Sequence, residues 1–265
     1  MAKNYPIHIR IPYNQLSQYY DTAVNHNLNV ELYLCSEDLD HTPEDRFIEW
    51  SGIFRDKGSD ITIHAPFMDL SPGGSDSKVR SASFERIIQL LDIAKIFNPK
   101  MIVVHPGFDH WRNQETIKTW LRNSSLFWKE ILNHAKHWDC RLAIENVFEK
   151  SPESLRTLIE SISSPRFGFC FDTGHFNLFS TSRLEDWLKE LGPYFFETHL
   201  HDNKGDQDSH SALGEGNFPF EQYFGLLTNM SKKLILTFES HSEESALASI
   251  KFFKNRFMAS LIENK

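Results

Sequence analysis

Eight short apolar runs alternate along the chain with eight longer amphipathic segments. The runs are rich in β-branched and aromatic residues, which is typical of buried strands, and the longer segments carry the apolar spacing of helices. The predicted strands cover residues 6–11, 30–34, 60–65, 100–105, 141–147, 166–172, 195–201 and 233–239. The predicted helices cover residues 14–27, 43–57, 76–97, 113–138, 152–162, 183–191, 219–229 and 242–262. Eight strand–helix units in succession predict an α/β fold of (β/α)8 type, because parallel strands joined by helices must be covered on their outer face.

An open, doubly wound sheet is the alternative arrangement of the same units. Its dinucleotide-binding form needs a glycine-rich turn after the first strand, and neither a GxGxxG nor a Walker pattern occurs. No change in composition marks a linker, so we expect one TIM barrel domain over residues 1–265. In such a barrel the active site forms at the C-terminal ends of the strands, and chemically active side chains should collect there.

Charge and cysteine content narrow the possible partners. With a formal net charge of −8, the chain lacks the excess of basic residues that attracts nucleic acid or anionic membranes. A local basic rim is still compatible with this total charge. The start of the chain has no signal-peptide core, and no run of about 18 apolar residues occurs. The chain has an odd number of cysteines, Cys35, Cys140 and Cys170, and none of them has CxxC spacing. This pattern predicts neither a disulfide framework nor a cysteine zinc site. We therefore expect a cytoplasmic protein without a membrane partner.

Histidines and carboxylates collect at the ends of the predicted strands, from strand three to strand eight. The candidate metal ligands are His64, His105, Glu145, Asp172, His175, His199, Asp208, His210 and Glu239. They should converge in space, because successive strands of a barrel end on the same rim. Imidazoles and carboxylates without thiolates are ligands suited to zinc, manganese, iron or cobalt. The sequence therefore predicts a metal site at this rim.

Other polar and aromatic residues can have a structural role in place of a role in the site. A single histidine is more often hydrogen-bonded than metal-bound, and we expect this of His8, His26, His41, His134, His137 and His241. Glu31, within "VELYL", either faces the barrel interior or forms a paired structural carboxylate. Six aromatic residues follow the candidate ligands and could line a pocket or pack the loops: Phe67, Phe108, Trp111, Phe148, Phe176 and Phe179.

Seven short motifs extend over nearly the whole chain: "HAPF", "VVHPG", "IEN", "FDTGH", "HLHDN", "DSHSALGEG" and "FES". In this order and at this spacing, the chain resembles the superfamily of xylose isomerase-like TIM barrels. That superfamily also contains sugar phosphate isomerases and epimerases and the endonuclease IV-type AP endonucleases of family 2. The resemblance implies an enzyme with one to three divalent metal ions per chain, zinc or manganese.

The sugar branch of the superfamily implies one ion held by Glu145, Asp172, His199 and Glu239. Glu145 and Glu239 would then be catalytic and transfer a proton of the substrate. The partner would be a small sugar or sugar phosphate, and the candidate substrate-binding residues are Phe67, Trp111, His201 and Lys204. An isomerase or epimerase of this kind is the leading prediction.

The endonuclease branch implies three ions and a phosphodiester substrate, with nucleic acid as the partner. His64, His105 and Glu145 would hold the first ion. Glu145 would bridge to the second, which Asp172, His199 and Glu239 would also hold. His175, Asp208 and His210 would hold the third. Three departures argue against this branch: "IENVFEKS" after strand five, Gly174 in place of a cysteine, and a loop "HDNKGDQDSH" without arginine. The exact substrate, the metal and the oligomeric state stay open.

Overall fold

The computed structural model describes residues 5–108, 114–230 and 232–263. Its eight strands pair in parallel with their neighbours in chain order, and the last pairs with the first to close a barrel. The strands are β1 (Ile7–Pro12), β2 (Asn29–Tyr33), β3 (Ile61–His64), β4 (Met101–Val104), β5 (Arg141–Glu145), β6 (Phe167–Asp172), β7 (Phe195–Leu200) and β8 (Ile235–Phe238). The predicted (β/α)8 TIM barrel is confirmed, and each strand lies within two residues of its predicted bounds.

Eleven α-helices occur in the described part of the chain. They are α1 (Leu16–Asn25), α2 (Ser36–His41), α3 (Glu44–Lys57), α4 (Ser77–Phe97), α5 (Gln114–His134), α6 (Glu153–Ile162), α7 (Thr173–Phe179), α8 (Leu184–Leu191), α9 (Phe220–Thr228), α10 (Glu243–Arg256) and α11 (Met258–Glu263). The sequence pattern missed α2 and α7, because each is a short helix inside the loop that follows a strand. The helix predicted over 242–262 is two helices that meet at Phe257.

The main apolar core lies between the strands and the surrounding helices. Its largest fully buried side chains include Trp120, Trp128 and Trp187. A second, small cluster of strand residues is separate from this core and contains Met101, Val103, Ala143 and Cys170. Fully buried polar side chains complete the barrel interior, among them Glu31, Thr62, Glu197 and Thr237. The interior is therefore polar close to the rim where the strands end.

The three cysteines are free thiols, in agreement with the expectation that no disulfide forms. Cys140 and Cys170 are buried, and Cys35 is partly buried. None of the helices that the structure describes combines the length and the apolar character of a membrane span.

Candidate metal centre

Glu145, the last residue of β5, is the centre of the site. Its carboxylate lies 3.2 Å from His64 Nε2, 3.3 Å from His105 Nε2 and 3.1 Å from His175 Nδ1. His199 Nδ1 on β7 is 3.5 Å away. These imidazoles come from four different strands or strand ends, so the barrel closure, and not sequence proximity, assembles them around one carboxylate.

Glu239 follows β8 and forms the second carboxylate of the site. Its oxygens lie 3.0 Å from His199 Nδ1 and 3.4 Å from His210 Nδ1. Arg10 on β1 donates from Nη1 to Glu239 at 3.0 Å, and its guanidinium lies over the Tyr33 ring at 4.6 Å. Arg10 was not among the predicted site residues. Its place in "IHIRI", a polar residue between apolar strand residues, was the available signal.

Asp172 and Asp208 are two further candidate ligands of the site. Asp172 ends β6 and accepts a hydrogen bond from the backbone N–H of His175, so it also caps α7. His175 Nε2 and His210 Nε2 lie 3.5 and 3.2 Å from the same oxygen of Asp208. His210 has a left-handed backbone with φ of 46°, which is uncommon for a residue other than glycine.

These residues fit a divalent cation. Three groups of the predicted ligands each place three donor atoms within 4.8 Å of one another: His64, His105 and Glu145; His64, His199 and Glu239; Glu145, Asp172 and His175. His199 Nδ1 and Glu239 Oε1 are 3.0 Å apart and buried, yet neither has a hydrogen-bond partner. Buried donor atoms that converge without hydrogen bonding are costly unless an ion takes them up. Nitrogen and oxygen donors alone suit zinc or manganese.

The charges of the cluster support the same conclusion. Burial alone would raise the pKa of Glu145, but the imidazoles of His199 and His105 hold it well below its usual range. Burial would likewise raise the pKa of Glu239, whereas Arg10 and His199 hold it well below that range. Both carboxylates are therefore ionised at neutral pH and available as ligands or proton acceptors.

A cavity of about 610 Å³ opens over these residues. Four of the six candidate aromatic residues line it: Phe67, Phe108, Phe148 and Phe179. Phe176 packs instead against Phe171, Trp187 and Phe218, and Trp111 lies outside the described residues. The predicted substrate-binding residue Lys204 is exposed and does not line this cavity.

His201, also predicted to bind substrate, lies behind the site. It is fully buried, and its Nε2 is 3.0 Å from both oxygens of Asp172. It is absent from the cavity lining that the structure describes. His201 is therefore placed to orient Asp172.

The close approach of His201 explains the glycine of "FDTGH". A Cβ atom at Gly174 would lie 2.0 Å from His201 Cε1 and 2.5 Å from His201 Nδ1. The imidazole thus occupies the space that a side chain at position 174 would take. This is a physical reason for the departure from the cysteine of the endonuclease pattern.

We expect Gly174→Ala to destabilise the protein by about 1–3 kcal/mol, because the added methyl group must displace His201. In an exposed helix the same change would stabilise by up to about 1 kcal/mol. Urea unfolding of Gly174→Ala, His201→Ala and the double variant measures the coupling. The double variant should be less destabilised than the sum of the two single variants. Simple additivity would contradict this packing role.

A buried acidic pair lies beneath His199. The two oxygens of Glu31 on β2 are both 3.3 Å from His199 Nε2, across the barrel from β7. Burial alone would raise the pKa of Glu31, but His199 holds it below its usual value. Burial and the Glu31 carboxylate raise the pKa of Glu197 well above its usual value, and Thr237 donates to Glu197. Glu31 is therefore the ionised member of the pair. Its oxygens can accept a hydrogen bond from Nε2 of His199, whose Nδ1 lies 3.0 Å from Glu239 in the site.

Glu31→Gln is expected to weaken the affinity for a divalent ion about 10- to 100-fold, the usual effect of removing a carboxylate that orients a histidine ligand. Glu197→Gln is the matched control, because it changes the neighbouring buried carboxyl group, whose pKa is raised well above its usual value by burial and by Glu31. Competition with a chelating dye measures both affinities. Equal affinities of the two variants would show that Glu31 does not orient His199.

Comparison with known proteins places the chain in a family. The xylose isomerase-like TIM barrel family profile matches residues 29–256. The chain belongs to this family. The uncharacterized protein MJ1311 of Methanocaldococcus jannaschii is 29% identical over 204 residues, which cover 74% of this chain and 69% of that protein.

Two further relatives represent the two branches. A probable endonuclease 4 of Mycoplasmopsis pulmonis is 27% identical over 168 residues, 58% of each chain. The chain thus spans about three fifths of the length of this relative. A solved structure of a D-tagatose 3-epimerase-like protein superposes with a TM-score of 0.81 at 24% identity, over 94% of this chain and 96% of that one. The latter likeness establishes the fold.

Proposed function

We propose that the protein is a divalent-metal-dependent isomerase or epimerase that acts on a sugar or a sugar-like substrate. The observation that carries the proposal is the placement of Glu145 and Glu239 on the floor of one cavity, with His199 between them. Both carboxylates line the cavity and are ionised. One of them can accept a proton from a substrate carbon and, as the carboxylic acid so formed, return that proton to the intermediate, which is general acid–base catalysis.

Glu145, Asp172, His199 and Glu239 would hold the ion, zinc or manganese. When bound, a divalent ion supplies Lewis-acid polarisation of a carbonyl group and so makes the neighbouring C–H more acidic. Arg10 keeps Glu239 ionised and fixes its orientation. His201 fixes Asp172, and Glu31 fixes His199. The aromatic ring of Phe67 can pack on a sugar face.

The small number of cationic side chains in the described cavity lining favours a small substrate over a nucleic acid. Among the described residues Arg10 is the one lysine or arginine that lines the cavity, and it is already paired with Glu239. A duplex-binding enzyme needs several such side chains to contact phosphates. The likeness to an epimerase-like structure supports the same choice. The cytoplasmic location stays a prediction.

Phosphodiester hydrolysis is the second candidate, and one observation favours it. His175 and His210 converge on a single oxygen of Asp208, which is the arrangement that a third ion would need. The sequence similarity to probable endonuclease 4 proteins points the same way.

Isotope exchange separates the two candidates. The metal-loaded protein is incubated in deuterated water with a panel of ketoses, and in parallel with a duplex that contains an abasic site. Deuterium at the carbon next to the carbonyl, together with an intact duplex, is the expected result. Strand cleavage without any exchange would overturn the proposal in favour of the hydrolase.

A further inference from the structure

The cavity has two chemically different sides. On one side, loops that follow four consecutive strands, β3 to β6, contribute seven apolar side chains: Phe67, Met68, Leu70, Phe108, Val147, Phe148 and Phe179. We call these seven residues the apolar wall. The same β3 loop also contributes Asp69 and Ser71. The other side comes from β1, β8 and the loop after β7, and carries Arg10, Asp208, His210 and Glu239.

Ring contacts hold the four phenylalanines of the apolar wall in place. Phe67 stacks on His105 with ring centroids 4.3 Å apart, and Phe108 packs edge-on against Trp120 at 5.1 Å. Phe148 and Phe179 pack against each other at 4.8 Å. A wall of anchored rings is preorganised, so a ligand that contacts it meets little ordering cost.

The apolar wall reaches the outer mouth of the cavity. Met68 is 70% exposed there. Single exposed apolar residues are ordinary, but a contiguous apolar surface beside a polar site marks a binding surface. Because this surface continues into the floor that holds Glu145 and His64, its occupant is the same molecule that reaches the metal centre.

The cavity volume of about 610 Å³ lies within the range of pockets that enclose drug-sized ligands. A free ketohexose carries hydroxyl groups on every side and would leave most of the apolar wall facing water. We infer that the substrate is a conjugate, in which an oxygen-rich, sugar-like head binds at the carboxylates and an aromatic or apolar body packs on the apolar wall. An aryl glycoside whose sugar ring carries a keto group is the simplest molecule of this class. The inference rests on the proposed function only for the identity of the head.

Matched ligand pairs test the inference. Benzohydroxamate and acetohydroxamate present the same two oxygens to a metal ion and differ in a phenyl against a methyl group. We expect the zinc-loaded protein to bind benzohydroxamate at least tenfold more tightly in titration calorimetry. Phenyl and methyl β-glucoside on the metal-free protein should show the same order, which makes the test independent of metal loading.

Two variants locate the preference on the apolar wall. Met68→Ser alters an exposed side chain and should not affect folding. Met68→Ser and Phe148→Ser, each as a single variant, should reduce the phenyl preference to less than threefold. Leu126→Ser is the matched control, because Leu126 is 65% exposed on α5 and does not line the cavity. It should leave the preference unchanged.

Equal affinity for phenyl and methyl ligands, or a preference that survives both wall substitutions, would overturn the inference. A second copy of the chain bound to the apolar wall would also overturn the inference. It would be seen in gel filtration as a dimer that the Met68→Ser substitution dissociates. Failure of the proposed function gives a different result. A phenyl preference without proton exchange on any sugar would leave the apolar wall as the binding surface of another reaction.

Discussion

Replacing Glu145 by glutamine is expected to lower kcat by about 10²- to 10⁴-fold, the usual loss when a general base is removed. Glu145 contacts four imidazoles, so the amide also removes the charge on which those histidines converge. The loss is expected for isomerisation and for phosphodiester hydrolysis, because Glu145 belongs to the site in both schemes. Steady-state kinetics on the substrate found in the exchange assay measures it.

Glu37→Gln is the control for this substitution. The Glu37 side chain is 82% exposed on α2 and pairs only with His41 in the part of the chain described. It should retain full activity and stability. If Glu145→Gln turned over substrate as fast as the Glu37→Gln control, Glu145 would not be catalytic and the site shared by both schemes would be wrong.

Chelation of divalent ions is expected to abolish turnover and to lower the melting temperature. The buried carboxylates of Glu145, Asp172 and Glu239 lie close together, and an ion that binds only the folded state stabilises it. The linkage contributes about 2.7 kcal/mol when the free ion is at 100 times its Kd. Calorimetric melting with and without the chelator, followed by re-addition of zinc or manganese, measures this effect. Unchanged activity and melting after complete chelation would exclude a metal-dependent reaction.

The number of ions follows from the same preparations. Elemental analysis of His210→Ala should show one ion fewer than the wild type if three ions bind, because His210 contacts Asp208 at the third position. If wild type and His210→Ala both contain a single ion, the result supports the isomerase mechanism. His134→Ala is the control, because His134 is an exposed residue of α5 that pairs with Glu130 far from the predicted ligands.

The fold was predictable from the sequence because each unit carries its own signal. A run such as "KMIVVH" is apolar enough for a strand buried on both faces, and the following amphipathic segment can only cover it. Parallel strands in a barrel all end on one rim. His64, His105 and Glu145 could therefore be placed together although other residues separate them along the chain.

Helices α2 and α7 were not predicted for a local reason. Each has fewer than eight residues, which is too short for an amphipathic period to appear, and α7 begins at the cap formed by Asp172. The sequence pattern at this point shows only the site residues of "FDTGH". Local propensity did not indicate that these residues also form a turn of helix.

The pattern of residues along the chain was enough to predict the barrel, its order of units and nine residues at its rim that could bind a metal. Only the tertiary structure decided how the neighbouring side chains are used. Arg10 pairs with Glu239, Glu31 lies beneath His199, and His201 lies behind Asp172 and not in the cavity. The physical reason is that contacts across a closed barrel join strands that are distant along the chain. The direction of each side chain is set by the shear and packing of the whole sheet, which no local pattern records.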